Sequence, residues 1–167
     1  MPSATRAQAF VARGCSPDTR AGLDLERSLA HAKSMSDRSS SPFLAIEPSA
    51  WAASNPLAFA IRDQYPVSPG HTLIVPRRLV QTWFEATREE QSALLELVGV
   101  VKRALDIELR PDGYNVGFNV GEAAGQTVMH LHVHLIPRFR GDVADPRGGV
   151  RHVIPSRGNW DSLAPKR

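Results

Sequence analysis

The sequence has little of what covalent or metal-based frameworks need. Cys15 is its only cysteine, which excludes an intrachain disulfide and a zinc site built from several cysteines of this sequence. No apolar run approaches the ~20 residues that a membrane-spanning helix needs. Because the start of the chain also has no apolar run of signal-peptide length, we expect a soluble, cytoplasmic protein with no membrane partner.

Strong charge is also missing. The formal net charge is +3, and no segment combines a cluster of Lys or Arg with aromatic side chains, which make up only 7% of the chain. A nucleic-acid partner is therefore not expected, whereas a mild basic excess suits small anionic ligands. Hydrophobic residues make up 42% of the 167 residues, which fits one soluble domain with its own core.

Composition divides the chain into three parts. Residues 1–41 form an N-terminal extension that we expect to be partly disordered, with a short helix over 21–33 and a linker over 34–42. Residues 42–140 carry the strongest hydrophobic patterns and form the domain itself. Residues 141–167 form a C-terminal tail, which we expect to pack on the domain or on a dimer partner.

One long helix is predicted after residue 87. Thr87-Arg88-Glu89-Glu90 matches a capping box, in which the first and fourth side chains bond each other's backbone N–H. Apolar residues then recur at helical spacing and give the helix one buried stripe. They are Leu94, Val98, Val101 and Leu105.

Short apolar runs bounded by Pro and Gly predict strands around this helix. The last two runs are joined by a short loop, so we expect them to pair antiparallel. One helix among several strands is typical of an α+β fold. The predicted strands are Phe43–Ile46, Leu57–Ile61, Thr72–Val75, 114–120 and 128–136.

The most informative segment, 128–137, alternates three histidines with aliphatic residues. A strand sends successive side chains to opposite faces, so His130, His132 and His134 would share one face while the aliphatic residues enter the core. Buried imidazoles are costly without partners, and imidazole titrates near neutral pH. The spacing therefore favours a reaction centre.

Two other interpretations of the three histidines stay open. Neighbours on one strand face lie about 7 Å apart, so two of them can share a metal ion, but the outer pair is twice as far apart. No Asp, Glu or Cys within the motif completes a metal site, and none is expected. The histidines can also be purely structural groups on a polar sheet face. Nucleophilic or acid–base chemistry is the favoured interpretation.

The loop before the histidines indicates what they act on. Residues 121–127 contain two glycines and small residues, and glycine lets backbone N–H groups converge on an anion. Gln126 and Thr127 add neutral donors. In isolation this is an ordinary hairpin turn, but directly ahead of the histidines it predicts a phosphate-binding loop.

Two segments resemble those of the histidine-triad (HIT) nucleotide hydrolases and transferases. The family signature runs His, apolar, His, apolar, His, apolar, apolar, and Gly125–Arg138 matches it at every position. Pro69–Pro76 is similar to the family's other recurrent segment, so the resemblance covers about residues 42–140. It is strongest to the branch that includes fragile-histidine-triad proteins and bacterial diadenosine polyphosphate hydrolases. Asp145–Arg151 is similar to a tail of bacterial members.

The resemblance implies a fold and a mechanism. The fold is a five-stranded antiparallel sheet with one long and one short helix. In this family the middle histidine, here His132, attacks the α-phosphorus of a nucleotide and forms a nucleotidyl-histidine intermediate that water then cleaves. His134 matches the residue that contacts the α-phosphate and the bridging oxygen. His130 and His71 match positions that orient the nucleophile.

The resemblance also implies substrate contacts. Gly125, Gln126 and Thr127 belong to the phosphate-contacting loop. Asn119 matches an amide near the α-phosphate and ribose, and Asp63 matches a carboxylate that approaches the ribose hydroxyls. Apolar side chains would hold the base, and arginines would neutralise distal phosphates. The candidates are Phe43, Leu44, Phe59 and Ile61 for the base, and Arg138, Arg140, Arg147 and Arg151 for the phosphates.

These inferences predict a hydrolase of nucleoside phosphoanhydrides or phosphoramidates, with diadenosine polyphosphates as the preferred class and AMP as a product. The covalent step requires no cofactor, although Mg²⁺ can accompany a polyphosphate. We expect an adenine nucleotide as substrate and a homodimer as the assembly. Two alternatives stay open. One is a phosphorylase, nucleotidyltransferase or phosphoramidase at the same site, and the other is a nucleotide-binding module with vestigial activity.

Overall fold

The computed structural model describes residues 41–159, which contain one antiparallel five-stranded sheet and one main helix. The strands lie in the order β1-β2-β3-β5-β4. This architecture confirms the predicted α+β fold. The elements are β1 (Ala53–Ser54), β2 (Ala58–Arg62), β3 (Thr72–Pro76), α1 (Arg88–Glu108), β4 (Gly113–Gly117) and β5 (Val133–Arg138).

Helix α1 begins at the predicted capping box. The Thr87 hydroxyl accepts a hydrogen bond from the Glu90 N–H at 3.2 Å, and the Glu90 carboxylate accepts one from the Thr87 N–H at 2.8 Å. Glu90 is buried and also accepts two 2.7 Å hydrogen bonds from the Arg78 guanidinium. The first turn of α1 is thereby tied to the chain just beyond β3.

The helix covers one face of the sheet. Its apolar stripe packs against strand residues of β2, β3 and β5 in a single core, because the pleat turns alternate strand residues toward the helix. The opposite face of β2 and β3 forms a smaller core with Phe43, Ile46 and Trp51. The helix-side core includes Leu94, Leu97, Val101, Leu105, Ala58, Ala60, Ile74, Val133 and Leu135.

Two predicted strands differ from the structure. Phe43–Ile46 is wrong as a strand, because Pro42–Ala45 forms a 3-10 helix that the Ser41 hydroxyl caps and that proline begins. Proline lacks the N–H that a strand ladder needs and suits the first helical position. The histidine strand starts at Val133 rather than at residue 128. Before it, Leu131 donates its N–H to the Val80 carbonyl, outside the five-stranded ladder.

The remaining helices of the described part are short 3-10 turns. None of the described helices is both long and apolar enough to cross a membrane. The short helix predicted over 21–33 lies outside the described residues. The other 3-10 turns are Pro48–Ala50, Trp83–Glu85, Glu122–Ala124, Gly149–Val153 and Pro155–Arg157.

Candidate active site

The three histidines share one face, as the alternation predicts. Leu131, Val133 and Leu135 are buried in the helix-side core, and the imidazole rings project from the opposite face. The ring centroids of His132 and His134 lie 5.1 Å apart. Because His130 and His132 precede β5, their rings are placed by side-chain hydrogen bonds rather than by the sheet ladder.

His130 is fully buried and its tautomer follows from its partners. Its Nε2 lies 2.9 Å from the Pro76 carbonyl and 3.1 Å from the Arg78 carbonyl. Carbonyls only accept, so Nε2 carries the proton and Nδ1 accepts from the Ser41 hydroxyl at 2.8 Å. Burial lowers the pKa of His130, partly opposed by the hydrogen bonds to these carbonyls, so the ring is neutral at pH 7.

His132 is held by a backbone carbonyl and by an aromatic ring. Its Nδ1 lies 2.8 Å from the His130 carbonyl oxygen, which can only accept, so Nδ1 carries the proton. The lone pair of the neutral ring is therefore on Nε2. The ring of Phe43 packs edge-on against it with centroids 5.2 Å apart. A backbone carbonyl and an aromatic edge together fix the tautomer and the orientation of the imidazole.

Ser41 is a site residue that sequence reasoning missed, because its composition places it with the N-terminal extension. It is buried, it caps the turn that carries Phe43, and its hydroxyl reaches a histidine 89 residues further along the chain. The sequence signal for the turn was the Ser41-Pro42 pair, which is typical of a helix start. No local signal indicates the contact with His130.

We predict that Ser41→Ala destabilises the protein by about 1–3 kcal/mol, because a buried imidazole nitrogen loses its donor. The Nδ1 resonance of His130 in nitrogen NMR spectra should shift because this nitrogen loses its hydrogen bond, while the proton stays on Nε2 beside the two carbonyls. Ser92→Ala, at an exposed serine of α1, is the matched control and should leave both unfolding and spectra unchanged. A Ser41→Ala protein with unaltered spectra and stability would contradict the assignment.

His134 belongs to a second chain of polar contacts. Its Nδ1 lies 3.0 Å from Nε2 of His71, and Nδ1 of His71 lies 3.2 Å from the Asp63 carboxylate. An ionised carboxylate can only accept, so the His71 proton is on Nδ1, and His134 donates to His71 from its own Nδ1. Nε2 of His134 is then an unprotonated nitrogen in the neutral ring. The Val67 N–H, 3.4 Å from His71 Nδ1, is the weaker contact and does not set the tautomer.

Burial lowers the pKa of both histidines in this chain. The pKa of His134 falls to about 4, first through burial and then through the nearby His132 and His71. Burial also lowers the pKa of His71, and the Asp63 carboxylate partly offsets this. Both rings are therefore neutral at pH 7, and an anion beside His134 would favour its protonation.

A tight turn delivers His71 to this position. Gly70 has φ of 81°, a left-handed conformation that side chains rarely adopt. A Cβ at this glycine would lie 2.6 Å from Leu109 and 2.8 Å from Leu105, both at the end of α1. The positive φ of this turn therefore favours glycine, and the leucine methyl groups of the helix end pack directly against it.

The loop before the histidines is organised differently from the prediction. The Gln126 side chain is buried, donates to the carbonyls of Gln81 and Val128, and accepts from the Gly121 N–H. Both hydrogens of its amide are used within the chain in this structure, and the predicted contact of Gln126 with a phosphate stays a prediction. The side chain holds the loop against the segment that follows β3.

The backbone of the loop is also largely committed. The N–H groups of Ala124, Gly125 and Gln126 donate to carbonyls of Gly121 and Glu122 within the loop, so they do not converge on an anion. Gly125 adopts φ of 86° and closes the turn. Thr127, which is exposed, therefore remains as the predicted phosphate donor.

The other predicted contacts divide into those near the histidines and those away from them. The Asn119 amide lies 3.4 Å from the Gly125 carbonyl and lines the same cavity as His71 and His134. Phe59 and Ile61 are buried core residues, and Phe43 contacts His132.

Three of the four arginines predicted to contact distal phosphates pair with carboxylates: Arg138 with Asp142, Arg140 with Asp112, and Arg147 with Asp145.

A metal ion would find its ligands in Asp63, His71 and His134 rather than in the three motif histidines. Each offers one ligand atom, and these atoms lie within 4.8 Å of one another. Two imidazoles and one carboxylate suit zinc-like ions better than Mg²⁺. In the structure their polar atoms satisfy one another by hydrogen bonds, which accounts for their proximity without an ion.

A cavity of about 420 Å³ opens beside this chain of contacts. His71 and His134 form one wall, and β4, β5 and the turn Gly149–Val153 form the others. Buried His71 and half-buried His134 thus border an open space lined by amide and apolar side chains.

A family model described as the HIT domain matches residues 47–141. The chain belongs to the HIT family. The match includes all four site histidines and confirms the resemblance seen in the sequence.

Relatives within the HIT family have names that refer to dinucleoside polyphosphates. The chain is 37% identical to an AP-4-A phosphorylase of Mycobacterium tuberculosis over 60% of its own length and 52% of that protein. It is 33% identical to an asymmetrical bis(5'-nucleosyl)-tetraphosphatase of Schizosaccharomyces pombe over 64% and 59% of the two chains. The chain thus spans about half to two thirds of the length of these relatives.

Solved HIT structures share the fold. A zinc-bound histidine triad protein of Mycobacterium smegmatis is 28% identical, with a TM-score of 0.57 over 76% of this chain and 99% of that one. A HIT family member from Bacillus subtilis is 27% identical, with a TM-score of 0.56 over the same shares of the two chains. The chain therefore shares the HIT fold with these solved structures.

Proposed function

We propose that this protein cleaves dinucleoside polyphosphates through a covalent intermediate on His132. The observation that carries this proposal is the 2.8 Å hydrogen bond from His132 Nδ1 to the His130 carbonyl. It leaves the lone pair of a neutral imidazole on Nε2, and a neutral imidazole is nucleophilic at pH 7. The names of the HIT relatives support a dinucleoside tetraphosphate as the substrate class.

The first step forms one bond and breaks one. His132 Nε2 donates its electron pair to the α-phosphorus, and the bond from that phosphorus to the bridging oxygen breaks. The leaving polyphosphate takes the electron pair of the broken bond. The adduct keeps its proton on Nδ1 and carries a positive charge on the ring, which the His130 carbonyl stabilises.

The second step reverses the roles of the bonds. A water oxygen attacks the phosphorus, the bond from phosphorus to Nε2 breaks, and AMP leaves while a water proton is released.

We assign stabilisation of the oxygen that leaves in the first step to His134, which is held by His71 and indirectly by Asp63. In this assignment Asp63 orients the histidine relay, whereas the family resemblance implies a contact with the ribose.

A second candidate function is phosphorolysis, which the 37% identity to an AP-4-A phosphorylase favours. Phosphate would then take the place of water and release ADP rather than AMP. We predict that the products from diadenosine tetraphosphate distinguish the two reactions by mass spectrometry, with and without inorganic phosphate. AMP formed equally in both conditions supports hydrolysis, and ADP formed only with phosphate supports phosphorolysis. No cleavage in either condition would contradict both.

We also propose a homodimer that joins two chains at β4. This strand lies at the edge of the sheet in the described residues, and an edge strand offers unpaired backbone groups to a second copy. Exposed apolar side chains of α1, including Leu95 and Ile107, offer further apolar surface for such a contact. Light scattering after gel filtration tests it, and a monomeric mass at working concentration would contradict it.

A further inference from the structure

We propose that the cavity beside His134 binds the nucleoside of the leaving group, and that the C-terminal turn Gly149–Val153 is the wall that recognises it. This inference rests on the proposed function. It assigns a substrate role to a segment that lies outside the residues matched by the family model, which end at 141.

The proposed role of the cavity follows from the direction of attack at phosphorus. A displacement at phosphorus places the entering and leaving atoms on opposite sides. The Phe43 ring packs against His132, whereas His134 lies on the side that opens into the cavity. His132 does not line the cavity, but His134 and His71 do. A leaving group that departs from His132 past His134 therefore enters this space.

The lining suits a nucleobase rather than a phosphate. None of the lining residues is Asp, Glu, Lys or Arg, so the walls carry no fixed charge. Two amides, of Asn115 and Asn119, supply hydrogen-bonding groups among apolar side chains, as in sites for small planar ligands. The volume of about 420 Å³ lies within the range of about 300–1,000 Å³ that is usual for ligand sites. The apolar lining consists of Val67, Val116, Phe118, Ile136, Val150 and Val153.

Three of these valines are exposed although they are apolar: Val67 is 74% exposed, Val150 62% and Val153 78%. They lie on two different segments and converge on one mouth. A planar ring between them would remove this apolar surface from water, which favours binding. Exposed apolar side chains that converge beside reactive histidines favour a substrate base as their occupant.

The C-terminal turn is held in place by its own contacts. Arg151 donates to the carbonyls of Gly158 and Arg157, and the His152 ring bonds the Arg147 carbonyl at 2.7 Å. Gly148 has φ of 93°, and a Cβ there would lie 2.3 Å from the Gly158 carbonyl oxygen. The basic side chains are thus used to fold the turn, and the valines are what it presents to the cavity.

The test compares two substrates in one double variant, Val150→Ser with Val153→Ser. Both valines are exposed, so the fold should persist. Diadenosine tetraphosphate has a nucleoside in its leaving group, and adenosine 5'-phosphoramidate has none. We expect kcat/KM for the first to fall about tenfold, which corresponds to about 1.4 kcal/mol, and kcat/KM for the second to stay within about twofold. Val143→Ser, at an exposed valine that does not line this cavity, is the matched control.

Each other result has a distinct meaning. An equal loss for both substrates would overturn the inference, because the cavity would then hold the transferred nucleotide or support the fold. Unchanged rates for both would also overturn it. A change of oligomeric state in the double variant would assign the valines to a second copy of the chain. If the unaltered protein cleaves neither substrate, the proposed function fails rather than the assignment of the cavity.

Discussion

His132→Asn will abolish turnover while nucleotide binding persists. The Asn amide can still donate to the His130 carbonyl, as Nδ1 of His132 does at 2.8 Å, but it has no atom in place of Nε2. Removal of a catalytic nucleophile lowers kcat by on the order of 10⁴–10⁶. The measurement is the steady-state rate on diadenosine tetraphosphate, together with calorimetric binding of AMP.

The position of the covalent bond provides the direct check. Acid-free quenching of the unaltered protein during turnover, followed by mass spectrometry of its peptides, should locate an adenylyl group on His132. The adenylyl group should be absent from the His132→Asn protein, which assigns the covalent bond to His132. An adduct on another histidine, or a His132→Asn protein that retains more than about one hundredth of the activity, would refute the role of His132.

His134→Asn should lower kcat by about 10²–10³, the usual loss when a group that stabilises transition-state charge is removed. Asn keeps a donor to His71 but cannot reach the oxygen that leaves. The defect should shrink on substrates whose leaving group needs no stabilisation, such as an adenylyl fluoride. An equal defect on good and poor leaving groups would mean that His134 serves only to bind the phosphate.

Because the pKa of His134 is low, polyphosphate binding should cause a measurable uptake of a proton. In the free protein the pKa is about 4, so the ring is neutral at pH 7. A bound polyphosphate favours the charged ring and raises that pKa, so binding between pH 5 and 7 should take up a proton. Calorimetry in buffers of different ionisation enthalpy measures this uptake. It should disappear in His134→Asn, and uptake that persists would assign the proton to another group.

Local patterns predicted the parts of the fold that depend on local chemistry. The capping box at Thr87 and the apolar stripe through Leu105 led to α1, and the alternation from 130 to 135 placed the histidines on one face. These features arise from hydrogen bonds and side-chain periods within a few residues. They survive in any context that supplies a core.

Long-range partners account for what the sequence did not reveal. The Gln126 amide donates to the Gln81 carbonyl, 45 residues away in sequence. Ser41 donates to His130, 89 residues away, although its composition groups it with the extension. The Asp63 carboxylate lies 3.2 Å from His71, a contact that the sequence does not indicate. Propensity and spacing contain no information on which distant groups satisfy one another.

Helix α1 contacts the chain next to both ends of β3, on the face of the sheet opposite the histidine rings. In its first turn, Glu90 accepts a hydrogen bond from Arg78. The carbonyl of Arg78 accepts a hydrogen bond from His130. Its last turn packs on Gly70, which delivers His71. The two groups of histidines are therefore spaced by one rigid element on the far side of the sheet. A change in the length or tilt of that helix would alter the spacing of His71 and His130, although no residue of the site is replaced.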